Sequence, residues 1–198
     1  MNVTMKSVLY GASAACGLLL AATGTVWAEP VHITWTGTGW DTHVDNFADT
    51  LPINMITASA TGSFGADHAE VATEFYPANP ADYGVVCSAG HDMFVGIVLS
   101  TSVMTFKNHD QLFAFSNDGW MCLSTDPEMK GHFYGEVTNG WYGGGTGRFA
   151  NADCDWMTTF EGYNLELPEA VTGLMTIGFR SISGEISGNV NMHEFGAD

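Results

Sequence analysis

Apolar and polar residues alternate over short stretches of this chain, and Gly, Thr, Ser and aromatic residues recur among them. A two-residue period is that of a strand with one buried face, because successive side chains of extended backbone point to opposite sides. On that reading the sequence predicts strands over His32–Thr38, Ile56–Phe64, Val95–Phe106, Gln111–Phe115, Trp120–Ser124, His132–Val137, Trp156–Phe160, Leu174–Phe179 and Ile182–Ile186. Turn chemistry separates them at Asn108-His109-Asp110, Asn117-Asp118-Gly119, Asp126-Pro127-Glu128, Thr138-Asn139-Gly140 and Ser183-Gly184. Tyr76–Tyr83 contains two prolines and reads as a longer loop. Asp41–Asn54, with Pro52, reads as a second loop or an irregular edge. No stretch beyond the N-terminus carries the period of a long amphipathic helix. About eight or nine short strands make a sandwich or a closed barrel, and closure removes exposed edges. The expected fold is all-β, a single lipocalin-like closed barrel of about eight antiparallel strands.

The first residues break this pattern. Lys6 supplies a positive start, Val8–Ala22 a short apolar core, and Val26-Trp27-Ala28 an end that suits cleavage before Glu29-Pro30. Residues 1–28 are therefore expected to be a signal peptide and residues 29–198 one β-barrel domain, secreted or periplasmic after cleavage near Ala28. The apolar core falls short of the roughly 18 to 20 residues of a membrane span, and no later segment reaches that length. Cys16 follows Ser13-Ala14-Ala15, which lacks the large aliphatic residue expected before a lipidated cysteine.

Charge narrows the partners. The chain carries 22 acidic residues and a net charge of −17. Once Lys6 leaves with the leader, the bases are Lys107, Lys130, Arg148 and Arg180. Phosphate backbones and anionic lipid would be repelled, so nucleic acid is not an expected partner. An exported chain meets an oxidising compartment, where Cys87, Cys122 and Cys154 allow one disulfide and one odd thiol, in any of three pairings. No haem-attachment motif occurs, and no cofactor is expected.

Several elements in order resemble the bacterial secreted relatives of the allene oxide cyclase and dirigent barrels. A T-F-x-N-x-D-x-L hairpin appears as Thr105-Phe106-Lys107-Asn108-His109-Asp110-Gln111-Leu112. Downstream come Gly144-Gly145-Thr146-Gly147-Arg148-Phe149 and Ser183-Gly184-Glu185-Ile186-Ser187-Gly188, with weaker support from Ala60-Thr61-Gly62-Ser63-Phe64. The resemblance covers roughly residues 86 to 188. It implies a barrel with a structural turn at Gly144, Gly145, Gly147, Arg148 and Phe149, in which Phe149 re-enters the core and Arg148 bonds loop carbonyls or a carboxylate. It also implies a Cys87–Cys122 disulfide and association into dimers or trimers. The chain departs from the pattern at Ala150-Asn151-Ala152-Asp153-Cys154-Asp155, where a Gly-Ala-Thr-Gly-like segment would be expected.

Three functions follow as expectations. The first is binding of a small hydrophobic ligand, with Trp35, Trp120, Tyr134, Trp156 and Phe179 lining the cavity. The second is a cofactor-free cyclase or isomerase, for which Glu136 or Glu161 would be the inward acid, its pKa raised by burial. The third is an acidic extracellular structural or cation-binding protein, for which Asp153 and Asp155 would share one face of an extended segment and form half a calcium site. Four of the seven histidines stand beside an acid (His68, His91, His109 and His193), but neighbours on a strand face opposite ways and do not chelate together. No His-x-His, His-Glu-x-x-His or Gly-x-Ser-x-Gly motif is present.

Overall fold

The alternation resolves into nine antiparallel strands in a computed structural model, which describes residues 26–42, 53–129, 131–138, 144–165 and 179–193. They are β1 (Val26–Thr42), β2 (Ile53–Gly62), β3 (Ala66–Pro77), β4 (Met93–Phe106), β5 (Gln111–Ser116), β6 (Asp118–Leu123), β7 (His132–Thr138), β8 (Asp153–Leu165) and β9 (Phe179–His193). They hydrogen-bond in the order β3-β2-β1-β9-β8-β7-β6-β4-β5, and a further β3–β4 pairing closes the sheet. The result is an eight-stranded closed barrel, with β5 a ninth segment hydrogen-bonded along β4 beyond β6. Among the described residues there is no α-helix, and so none long and apolar enough to cross a membrane.

Some boundaries differ from the sequence reading. β3 was not expected, because its inward residues include Ala69 and Thr73 beside Val71 and Phe75, too weak an apolar signal. Tyr76 and Pro77 end β3 rather than open a loop. Asp41 and Thr42 extend β1, and Ile53 and Asn54 begin β2. Ser183-Gly184 is not a turn: β9 runs straight through it, paired with β1 on one side and β8 on the other. The glycine is needed there because a Cβ would lie 2.4 Å from the Trp35 ring. Residues 174–178 of the expected strand lie outside the described residues. So do residues 1–25 of the expected leader, while Val26, Trp27 and Ala28 form the first rungs of β1 against β9.

Asn117-Asp118-Gly119 is also not a reversal. Gly96 faces Trp120 and Ser100 faces Ser116, so β5 and β6 keep one register along β4 and are halves of one interrupted strand. At the same level the β3–β4 ladder shifts between Glu74 and Phe75. β4 and the β5–β6 line change face there, whereas β3 keeps one parity: Ile97 and Ser100 point inward with two residues between them, leaving Val98 and Leu99 exposed. Such a bulge bends the sheet and re-aims side chains. Ser116 Oγ holds the break, lying 2.9 Å from the Asp118 carbonyl and 2.5 Å from that of Thr138 while accepting from the Asp118 N–H.

Polarity follows the alternation. Thr34, Thr36 and Thr38 of β1 face outward beside Thr61, Ser59 and Thr57 of β2, while Ile33, Trp35, Ala58 and Ala60 face in. This is the reverse of a membrane barrel, whose lipid-facing band is apolar.

One end of the barrel is plugged. Phe64, Phe106 and Phe149 meet with ring centroids 4.6 to 6.1 Å apart, and the Arg148 guanidinium lies 4.8, 5.5 and 4.7 Å from those three rings. Arg148 Nη2 donates to the Phe64 carbonyl at 2.8 Å, and Nε stands 3.9 Å from Asp110 Oδ2. Phe64 presents that carbonyl from a left-handed conformation, φ 60°, costly for a bulky residue and tolerated where neighbours over-determine it. Gly147 must be glycine: φ is +56° and a Cβ would lie 1.8 Å from Asp110 Oδ1. Thr146 and Gln111 exchange two bonds, Thr146 N–H to the Gln111 carbonyl and Gln111 N–H to Thr146 Oγ1. Replacing Arg148 by Ala should therefore cost about 2–4 kcal/mol, for the loss of one charge-assisted bond and the ring contacts. Arg148→Lys should recover only a minor part, because an ammonium cannot stack as the planar group does. Urea denaturation of the three proteins checks this.

Candidate functional site

Above the plug the barrel encloses a cavity of about 80 Å³. That exceeds the roughly 10–15 Å³ one water needs and falls below the ~300 Å³ at which drug-sized pockets begin. Trp35, Phe75, Phe133, Trp156 and Phe160 supply its aromatic walls, and Ile56, Ile97, Met104 and Met121 fill between them. The polar wall is a short stripe of Asn54, Thr73, Ser100, Ser102 and Ser116. Thr73 Oγ1 and Ser100 Oγ are hydrogen-bonded at 3.1 Å in a buried position. Ser100 and Ser116 face each other across β4 and β5, brought inward by the change of face. Among the described residues no carboxylate, imidazole, amine or thiol lines this cavity.

The expected site residues divide between the two faces. Trp35 and Trp156 line the cavity. Trp120 and Tyr134 do not: they alternate with the inward Met121 and Phe133 and so stand on the outer face. Phe179 opens β9 opposite Trp40, and its side chain lies outside the described residues. Glu136 lies between the cavity-lining Phe133 and Val137 at the opposite parity to both, so it points out, where it faces Trp120. Glu161 is exposed, one residue beyond the cavity-lining Phe160. Neither acid is the inward acid a cyclase would need. Asp153 and Asp155 do share the outer face, with Cys154 buried on the other. Asp153 Oδ1 accepts from Asn191 Nδ2 at 2.5 Å. Among the described residues no three His, Cys, Asp or Glu converge as a metal site.

The disulfide joins Cys87 to Cys122, 35 residues apart, a crosslink worth about 3–4 kcal/mol through the loop it closes. It fastens residues 78–92, which join β3 to β4, over the outer face of β6 and β7. There Trp120 stacks on Phe94 at 6.3 Å and meets Tyr134 edge-on at 5.9 Å. Tyr134 Oη accepts the Ser88 N–H at 2.7 Å. Tyr76 and Tyr83, hydrogen-bonded through their hydroxyls, cover Gly96. Burial and that bond push the Tyr83 phenol up to about 12. Asp92 ties the segment to Thr125, whose hydroxyl and N–H hold the carboxyl below the usual carboxylate range.

On this face three polar side chains line up that the sequence reading did not join. Ser88 Oγ is 3.1 Å from His91 Nδ1, and His91 Nε2 is 2.8 Å from His132 Nδ1. The His132 ring packs against Tyr163 at 4.9 Å. His91 stood out in sequence only for its neighbour Asp92. Its partner lies 41 residues away, across a disulfide, and no local spacing reveals it.

No family model matches this chain, and neither a curated protein nor a solved structure matches it.

Cys154 is the free thiol, 7% exposed and pushed up to about 12 by burial and then by Asp153 and Asp155. Its neutral form is the one the fold holds. The unfolded chain releases this proton near 9 and the folded chain only near 12, so stability should fall as pH rises between those values. Cys154→Ala should flatten that decline, although Tyr83 contributes with the same sign. Thermal melts from pH 8 to 11 test it. At neutral pH, iodoacetamide should alkylate Cys154 only after unfolding.

Proposed function

We propose that the barrel binds one small, largely apolar molecule carrying at most one polar group, and holds it without chemically changing it. The observation that carries this reading is the cavity between Trp35, Phe133, Trp156 and Phe160, walled by aromatics and by hydroxyl and amide groups, with no titratable side chain among the described residues. Its volume of about 80 Å³ suits a single ring or a short chain. Dry apolar cavities of similar scale take up such molecules in other proteins. Asn54, Thr73 and Ser100 would meet the polar end. In this reading the protein works outside the cytoplasm, in keeping with the disulfide and the leader-like N-terminus. The cyclase alternative is less well supported, because Glu136 and Glu161 face outward. The cation alternative has no convergent ligand group among the described residues.

Native mass spectrometry of the protein from its own secreted fraction should find a retained small organic molecule. For the emptied protein, benzene and 1-butanol serve as probes, read by the fluorescence of Trp35 and Trp156. Ala114→Leu adds bulk to the cavity wall and should weaken binding at least tenfold while the fold survives, at an overpacking cost of about 1–3 kcal/mol. Glu136→Gln should leave binding unchanged. No retained molecule together with no response to either probe would overturn the proposal.

A further inference from the structure

We propose that Ser88, His91 and His132 form a nucleophilic site on the outer face of the barrel, acting on small esters with apolar acyl groups. A nucleophilic serine needs a base within hydrogen-bond reach and a third group that orients the base. Both distances are in place here, 3.1 Å from Ser88 Oγ to His91 Nδ1 and 2.8 Å from His91 Nε2 to His132 Nδ1. One tautomer satisfies the whole relay. Ser88 donates to His91 Nδ1, His91 donates its Nε2 proton to His132 Nδ1, and His132 keeps its own proton on Nε2. Rings fix the geometry: His91 meets Tyr134 edge-on at 4.9 Å, and His132 packs on Tyr163.

The backbone around Ser88 is held rather than loose. Cys87 is bonded to Cys122, the Ser88 N–H donates to Tyr134, and the His91 N–H returns to the Ser88 carbonyl at 3.1 Å. Gly90 takes φ +87°, which closes a tight turn over residues 88–91. Within it the N–H groups of Ala89 and Gly90 have no partner among the described residues. In α/β-hydrolases the N–H just after the nucleophile is one of the donors aimed at the developing oxyanion. Beside His91 runs an open groove of about 650 Å³ between Pro80, Val85, Val86, Met93 and Phe94. Val86 is 92% exposed and Met93 44%, apolar lining that the described residues leave open beside the polar Asn79, His91 and Asp92.

The chemistry balances with water alone. Ser88 Oγ attacks the ester carbonyl carbon as its proton passes to His91 Nδ1. The carbonyl re-forms, the bond to the leaving oxygen breaks, and His91 returns the proton to that oxygen as the alcohol departs. Water then attacks the Ser88 acyl ester with His91 again taking a proton, which it gives back to Ser88 Oγ as the carboxylic acid leaves. His132 touches no substrate and is a positioning residue.

The test uses the full-length oxidised protein and p-nitrophenyl acetate. A burst of p-nitrophenol near one equivalent is expected, with an acetyl group on the peptide that carries Ser88. Ser88→Ala should lose both while retaining the Cys87–Cys122 disulfide and the β-type circular dichroism. His91→Gln should slow acylation about a hundredfold or more. His132→Asn places an amide oxygen where Nδ1 stands and should keep most of the rate. His132→Phe keeps the ring contacts without the acceptor and should lose about tenfold. A merely structural role would rank those two the other way. Should Ser88→Ala not fold, a fluorophosphonate on the wild-type protein answers instead, with labelling at Ser88 expected and lost on denaturation. No burst, acylation at another residue, or an unaltered burst in a folded Ser88→Ala protein would overturn the assignment. None of these outcomes bears on the barrel cavity, which shares no residue with this site.

Discussion

The Arg148 guanidinium is the constraint on which the closed end of the barrel depends. One planar cation touches Phe64 from the β2–β3 turn, Phe106 from the end of β4 and Phe149 from its own turn, and its fork reaches the Phe64 carbonyl. Three chain segments far apart in sequence thus share one side chain. A hydrophobic plug of the same volume would bury the rings but take the donor from the Phe64 carbonyl and the cation from beside Asp110, whose carboxylate also accepts from Asn108 Nδ2. The guanidinium meets the rings and both polar groups at once. Its strictness shows in the local backbone, with Phe64 and His109 at positive φ and Gly147 pressed against Asp110. With that end sealed, any free volume in the barrel has to lie towards the other.

The second shaping event is the paired change of face in β4 and in the β5–β6 line. Without it the strands would run with one parity from end to end, and Ser100 and Ser116 would not face each other inside. The bulge gives the cavity a polar stripe opposite aromatic walls, at the cost of leaving Val98 and Leu99 on the surface. The hydroxyl of Ser116 bridges the interrupted ladder, its one proton shared between the carbonyls of Asp118 and Thr138 while its oxygen accepts the Asp118 N–H. Geometry at one level of the sheet therefore decides the chemistry of the pocket.

The period-two pattern made the all-β barrel legible, and the Gly-rich turn ending in Arg148-Phe149 marked the plug before any coordinates. Trp35 and Trp156 could be placed inside because they sit in clean alternation with Thr34, Thr36 and Asp155. Trp120 and Tyr134 could not, since on β6 and β7 large residues occupy both faces: the covering segment 78–92 makes the outer face half-buried too, and composition no longer tells inside from outside. β3 hid because a barrel wall facing a cavity tolerates Ala and Thr where a packed core would demand larger residues. Ser183-Gly184 mimicked a turn because glycine serves close packing as well as reversal. The Ser88–His91–His132 line rests on strand register and a disulfide, and neither is written locally.

Burial and charge separate the two faces of the molecule. The acids and imidazoles described above stand outside, and among the described residues the interior holds the neutral thiol of Cys154, away from the cavity wall. Chemistry that needs a proton acceptor therefore belongs on the outer face, and binding that needs an uncharged environment belongs within. The disulfide links these halves. Cys122 lies next to Met121, which lines the cavity, and Cys87 lies next to Ser88. In a reduced chain the segment bearing Ser88 and His91 would be held by the bonds of Ser88 to Tyr134, His91 to His132, Asp92 to Thr125 and Tyr83 to Tyr76. Those exposed or half-buried contacts are individually worth about 1 kcal/mol, against about 3–4 for the crosslink. The crosslink is thus the largest single hold on the segment that carries the proposed outer site, and it anchors that segment to β6 of the barrel itself.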